Sequence, residues 1–331
     1  MMTTWPSDRR PSRRAVLAGG LAGGLAAALP PRLVHATGND GWPRRIPHET
    51  GELLLSAPPR RILSTAPSLT GILLAIGAPL VASAAAAVGR LTDDSGFFRQ
   101  WAKVAHDRGV EVLYPNLAFD IEGLIVQAPD LVIASATGGD SVLPYLPLIE
   151  EQGLPVMVLD YSSHGWEELA ETLGRASGQD EGTQRVIRDF ADRATRVGAG
   201  LTRPPGQVSI VSHNLAGTYA VGKPSSPQAK VAAALGFDVV GLPDALQGAV
   251  ARSSDFDFIS HENLPAAITG DSVFLMSGSA ESVQVFCADP VLANLPAVAK
   301  GQVYPMGPSS FRIDYYSGLE MIETLRPYFT R

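Results

Sequence analysis

Residues 61–84 read RILSTAPSLTGILLAIGAPLVASA. RILST is a short apolar run of strand character. PSLTGILLAIGAP follows with helical spacing and stops at Gly77, and VASA returns to strand. The unit recurs downstream. IEGLIVQAP is a helix closed by Pro129-Asp130, and DLVIASA is a strand. LPLIEEQG is a helix and PVMVLD a strand. Strands that are apolar throughout and alternate with helices predict a mostly parallel sheet covered on both faces.

A second series starts near Gln207. VSIVS reads as a strand, SSPQAKVAAALGF as a helix with a serine start, and FDVVGL as strand or extended chain. HENLPAAIT is a helix, DSVFLMSG and QVYPMG are strands, and the last helix runs from Tyr315 to Tyr328. Between the two series, Val186, Ile187, Phe190, Ala191, Ala194 and Val197 recur at helical spacing. A helix over 180–201 is roughly 30 Å long at 1.5 Å per residue, enough to cross from one lobe to the next. The expected fold class is α/β: two Rossmann-like lobes joined by one long helix, with a ligand cleft between them. The boundaries are a leader over 1–36, a first lobe over 37–179, the backbone helix over 180–201 and a second lobe over 202–331. A single stiff helix permits only a small hinge motion.

The first 36 residues hold a basic segment, a weakly apolar stretch from Ala15 to Leu29 and a small-residue site at Val34-His35-Ala36. That is the plan of a cleaved export signal. Ser12-Arg13-Arg14-Ala15-Val16-Leu17 is of twin-arginine (Tat) type. The single cysteine, Cys287, excludes a disulfide within the chain and lies far from the cut, so no lipid anchor is expected. The mature chain is expected to be soluble and periplasmic. The net charge is −7, and the leader removes Arg9, Arg10, Arg13, Arg14 and Arg32 against Asp8 alone, so the mature part is more acidic still. Nucleic acid is excluded as a partner, because no basic face remains to neutralise phosphates.

The residues carry no constellation for catalysis. No histidine pair among His48, His106, His164, His213 and His261 has metal-ligand spacing, and no nucleophile elbow, phosphate loop or dinucleotide fingerprint is present. Thr137-Gly138-Gly139-Asp140 follows a predicted strand, at the end where ligands bind in such sheets. Two lobes, an export signal and no catalytic set point to a binding protein. Its cleft loops would hold Arg90, Tyr114, Thr137, His213, Tyr219, Arg252 and Arg312. Arg312 stands out, because SSFRIDYYSG (309–318) sets it among Phe311, Tyr315 and Tyr316. A guanidinium both stacks on rings and donates to oxygen anions; a salt bridge against core aromatics is the competing reading. Glu122 and Glu262 lie eight and nine residues before Asp130 and Asp271, each in the first turn of a helix, where the dipole favours an acid.

RILSTAPSLTGILLAIGAPLVASA, APDLVIASATGGDS, GFFRQWAKVA, ENLPAAITGDSVFL, NLPAVAKGQVYPMG and FRIDYYSGLEMIETL resemble the class III, helical-backbone periplasmic binding proteins of ABC importers for siderophores and cobalamin, and most of all their ferric-enterobactin-binding branch. The similarity runs from about Trp42 to the C-terminus. It implies a periplasmic carrier that hands a ferric siderophore to an inner-membrane ABC permease; no enzymatic activity and no cofactor are expected, and the chain is expected to be a monomer. A trianionic catecholate is the preferred ligand, and its own oxygens hold the iron, so no protein metal ligand is expected. The resemblance places Arg90, Tyr114, Thr137, Gly138, Gly139, Tyr219, Arg252 and Arg312 at the ligand, with one cation from each lobe, and Glu122 and Glu262 at the permease. The alternatives are an exported siderophore-ester hydrolase, or the same fold carrying haem or a corrinoid.

Overall fold

The computed structural model describes residues 41–330 apart from 216, 250, 253 and 254, with backbone alone at 247–249, 251 and 252. The expected leader therefore lies outside the described residues, as does the Arg252 side chain. The chain opens with an antiparallel hairpin, β1 (Arg44–His48) and β2 (Gly51–Leu55). The first lobe follows as β3 (Ile62–Ser64), α1 (Pro67–Ile76), β4 (Leu80–Ser83), α2 (Arg99–Asp107), β5 (Glu111–Val112), α3 (Ile121–Val126), β6 (Leu131–Ser135), α4 (Leu146–Glu151), β7 (Val156–Leu159) and α5 (Trp166–Ser177). Its sheet is fully parallel in the order β5-β4-β3-β6-β7. β3, β6 and β7 are buried at every residue, as their unbroken apolar runs require.

The backbone helix is α6 (Asp180–Ala199). The second lobe comprises β8 (Val208–Leu215), β9 (Thr218–Gly222), α7 (Pro227–Ala234), β10 (Val239–Val240), β11 (Ala251–Arg252), β12 (Phe256–Ile259), α8 (Leu264–Ala267), α9 (Ala280–Ala288), α10 (Pro296–Ala299), β14 (Val303–Pro305) after β13 (Ser272–Leu275), and α11 (Tyr315–Phe329). Only part of its sheet is parallel: β10, β13 and β14 run with β8, whereas β9, β12 and β11 form an antiparallel extension. The expectation of a Rossmann-like second lobe implies parallel pairing here. The loop between β8 and β9 is too short for a crossover, and Gly217 at φ +79° closes it as a hairpin instead.

The lobes are joined by more than α6. α11 packs on α1, α2 and α6, and one apolar cluster runs from Ile62 and Leu69 through Phe190 to Phe274 and Phe329. Two glycines set the spine's approach. A Cβ on Gly182 would stand 2.2 Å from the Ile76 carbonyl oxygen, and one on Gly198 would meet the Leu235 backbone at 3.1 Å. The first glycine presses α6 onto the first lobe and the second onto the second. Gly182→Ala would gain about 1 kcal/mol of helix propensity. The clash is with backbone, which cannot move without shifting α1, so overpacking of about 1–3 kcal/mol wins. A lower urea midpoint with an unchanged slope is the expected result.

Asp314 caps α11 where it meets the first lobe. Its carboxylate accepts the Ser317 N–H at 2.8 Å and is fully buried. Burial pushes its pKa up to about 6, opposed by hydrogen bonds from the Ser317 N–H and hydroxyl, the Tyr316 N–H and the Gln100 side chain. A carboxyl whose pKa rises on folding binds its proton more tightly in the folded state. Its contribution to stability is complete below the ordinary carboxylate range and is lost as pH climbs through about 6. Asp314→Asn keeps a capping oxygen and removes the titration. The wild-type chain should gain stability relative to this variant as pH falls from 6 to 4, in melts of the two chains side by side.

Candidate functional site

The ends of β3, β6 and β7 point toward the second-lobe segment between β14 and α11. Three loops meet there: Pro67-Ser68 at the start of α1, Gly138-Gly139-Asp140 after β6, and Tyr161 after β7. They face Phe311 and Arg312 across a cavity of about 200 Å³, with Phe98 and Leu117 on its flanks. The Arg312 guanidinium lies 4.4 Å from the Phe311 ring centre and 4.9 Å from that of Tyr161. It also approaches Asp255 Oδ2 at 3.6 Å. The cation is thus held between two rings, with a carboxylate on one side and the cavity on the other. Its loop is pinned from below, where the Gln228 side-chain amide donates to the carbonyls of Ser310 and Phe311 at 3.0 and 2.9 Å.

The opposite wall is equally braced. Tyr161 donates its hydroxyl to Asp140 Oδ1 at 2.7 Å, and Asp140 accepts the Ser68 N–H at 3.1 Å. Burial and the Asp140 charge push the Tyr161 phenol well above its ordinary pKa, so it stays a neutral donor. Gly138, at φ +82°, is the position where only glycine fits: a Cβ would fall 1.6 Å from the Tyr161 hydroxyl. Above Gly139 there is open space. Thr137 turns its hydroxyl to Asp160 Oδ1 at 2.9 Å and braces the loop. Burial alone would raise the Asp160 pKa. Hydrogen bonds from the Ser162 and Ser163 hydroxyls, the Ser162 N–H and Thr137 outweigh it and hold the group at about 2.

The other sequence-predicted residues fall elsewhere. Arg90 is exposed and lines a second cavity, of about 320 Å³, whose remaining wall belongs to the second lobe: His213, Asn214, Met276, Ser277 and Glu281 among others. Among the described residues its guanidinium has no ion pair. It does not share a cavity with Arg312, although its neighbour Leu91 borders a recess beside Phe311 and Arg312. Tyr114 lies in the first lobe. It is 3% exposed, sends its hydroxyl toward the Thr65 carbonyl at 3.4 Å and meets Phe119 edge-on, so it belongs to the first-lobe core. Tyr219 stacks on His261 at 4.8 Å, on the second lobe. Arg252 lies on β11, opposite Asp257 of β12. Glu122, on α3, and Glu262, in the turn His261–Asn263 before α8, are exposed. Asp120 caps α3 by accepting the Glu122 and Gly123 N–H groups at 3.0 and 3.2 Å. The Glu262 carboxyl is lowered by its own N–H and the Ser260 hydroxyl.

Sequence reasoning missed Tyr161, Phe98 and Asp140 as walls of this cavity. Tyr161 had a signal, an aromatic directly after the predicted strand PVMVLD; Phe98 had none beyond its place in GFFRQW.

Residues 62–309 match the model of the periplasmic binding protein family. The chain is 35% identical over 321 residues, 96% of its length, to the ferric enterobactin-binding periplasmic protein FepB of Escherichia coli O6:H1, 98% of which is covered. It superposes on holo-ViuP with a TM-score of 0.79 at 37% identity, covering 88% of this chain and 96% of that one. Staphylococcus aureus SirA complexed with staphyloferrin B shares the fold, with a TM-score of 0.65 at 17% identity over 85% of this chain and 97% of its own. The two-lobed architecture, the family match over most of the chain and the near full-length identity agree: the chain belongs to the periplasmic binding protein family.

Proposed function

We propose that the chain is the periplasmic component of an ABC importer and carries a ferric siderophore of the catecholate class to an inner-membrane permease. The observation that carries this reading is Arg312, held between Phe311 and Tyr161 and opening on a cavity between the lobes. A ferric tris-catecholate is trianionic with aromatic edges, and a guanidinium framed by rings suits both properties. The similarity to FepB, by its name a ferric enterobactin-binding protein, supports this choice of ligand. Gly139 leaves room for a bulky ligand against the first lobe, and Arg90 supplies a second cation from that lobe at the neighbouring cavity. Arg252 and Tyr219 lie on the second-lobe strands β11 and β9 and complete the reading. The twin-arginine leader would export the chain and be cut after Ala36, and the mature carrier would act as a monomer. Iron enters as cargo inside the siderophore.

Titration with ferric enterobactin, followed by quenching of intrinsic fluorescence, tests the ligand class, with a ferric hydroxamate as control. Saturable quenching by the catecholate and not by the hydroxamate is expected. The opposite pattern would reject the catecholate reading and leave the family assignment untouched.

A further inference from the structure

His213, His261 and Asp289 are far apart in sequence, which is why no metal-ligand spacing is visible there. The fold brings them together from three elements: His213 from β8, His261 from the turn before α8, and Asp289 from the C-terminal cap of α9. Both imidazoles aim the same ring nitrogen at the same oxygen. His261 Nε2 lies 2.6 Å and His213 Nε2 3.1 Å from Asp289 Oδ2. The second carboxylate oxygen is already spent, since Oδ1 accepts the Val291 N–H at 3.0 Å. That bond fixes the carboxylate so that Oδ2 alone faces the two rings. The rings are fixed as well: Tyr219 stacks on His261 at 4.8 Å, and Phe286 meets His213 edge-on at 5.2 Å. The side chains of His213 and Asp289 are each 11% exposed, while His261, at 31%, leaves a path from solvent.

We propose that these three side chains form a binding site for a divalent transition metal, of the class that zinc represents. Two imidazoles and one carboxylate, with no thiolate, are a donor set suited to late first-row divalent ions. The three donor atoms lie within 4.8 Å of one another. A tetrahedral zinc with bonds of about 2.0–2.1 Å spaces its ligands by about 3.3 Å, so rotations of the side chains by less than about 1 Å suffice. On binding, each neutral imidazole offers its Nε2 lone pair and carries its proton on Nδ1, and the carboxylate supplies the compensating charge. The Val291 N–H is the outer partner that holds the carboxylate in place. The fourth position would be taken by water. This metal belongs to the protein and is distinct from siderophore iron; His213 also borders the Arg90 cavity, and the test below is made without siderophore so that the two readings fail separately.

The test uses the untagged chain, stripped with a chelator, with no siderophore present. Zinc titration by calorimetry should give one ion per chain, and zinc should raise the thermal midpoint, because it binds the folded state. Cobalt(II) in its place should give the strong visible bands of a tetrahedral site. His261→Gln, at the exposed edge of the cluster, should weaken zinc binding by at least about tenfold and reduce the midpoint shift at the same zinc concentration. Asp289→Asn keeps an oxygen that accepts the Val291 N–H, sets an amide NH2 where Oδ2 faced the two rings, and withdraws the anionic ligand. It should weaken zinc binding in the same way, while its melt without metal stays near wild type. Absence of saturable zinc binding in the wild-type chain overturns the proposal, as does binding that is equal in the wild type and both variants.

Discussion

Ferric enterobactin should bind Arg312→Ala about 10- to 100-fold more weakly than the wild-type chain, as expected for charge-assisted bonds of about 1–3 kcal/mol. The geometry favours the upper end. In the free chain the guanidinium faces both the cavity and Asp255, at 3.6 Å. Removing it takes a cation, and its two ring contacts, from a trianionic ligand. Arg312→Lys separates charge from shape. The ammonium restores the charge without the planar fork, and its stacking on Phe311 and Tyr161 is poorer, so only part of the affinity should return. Tyr161→Phe removes the hydrogen bond to Asp140 and keeps the ring beside Arg312, so it should cost less than the alanine variant. The measurement is quenching of intrinsic fluorescence on titration with the ferric catecholate. Equal affinity in wild type and Arg312→Ala would reduce the residue to a salt bridge with Asp255 packed on rings.

In the first lobe β3, β4, β6 and β7 were readable because each is a short, mostly apolar run buried along most of its length, whereas β5, Glu111–Val112, is exposed and carried no such signal. α6 and α11 were readable from helical periodicity. The second lobe was harder. Whether VSIVSHNL pairs in parallel or turns back depends on a two-residue loop, and Gly217 was the one local sign of it. α5 escaped notice although Trp166, Leu169, Ala170 and Leu173 repeat on one face, all of them buried. The site divides in the same way. Phe311 and Arg312 are chain neighbours, so their pairing was legible. Tyr161, which supplies the second ring, comes from the other lobe, and only the docking of α11 on α1 and α2 brings it near. Tyr114 precedes a loop and reads as accessible, and only the packing around it shows its burial. The trio of His213, His261 and Asp289 shows the limit most plainly: its members lie on separate elements, and it is the sheet that assembles them.

Reversing the charge at Glu122 and Glu262 together should abolish uptake of the siderophore by cells while leaving its binding by the purified chain unchanged. The proposal behind this is that each lobe shows the permease one acid at one corner, where arginines of the transporter receive it. Both carboxylates are exposed. The Asp120 cap orders the first turn of α3, and the Glu262 carboxyl is held ionised by its own N–H and the Ser260 hydroxyl. Neither borders the cavity of Arg312 or that of Arg90. α3 also leaves Ile125 and Val126 exposed, at 43% and 82%, and Phe258 near Glu262 is 38% exposed. Apolar surface beside a lone acid is the composition of a contact patch, with the charge steering the encounter and the apolar groups holding it. Glu122→Lys or Glu262→Lys alone should slow uptake at least about tenfold, because like charges now meet across the interface. Labelled ferric siderophore supplied to cells expressing the importer measures transport, and fluorescence titration of the same variants measures binding. Normal transport by the double variant would remove these acids from the interface, and loss of binding together with transport would show that the substitutions act on the fold instead.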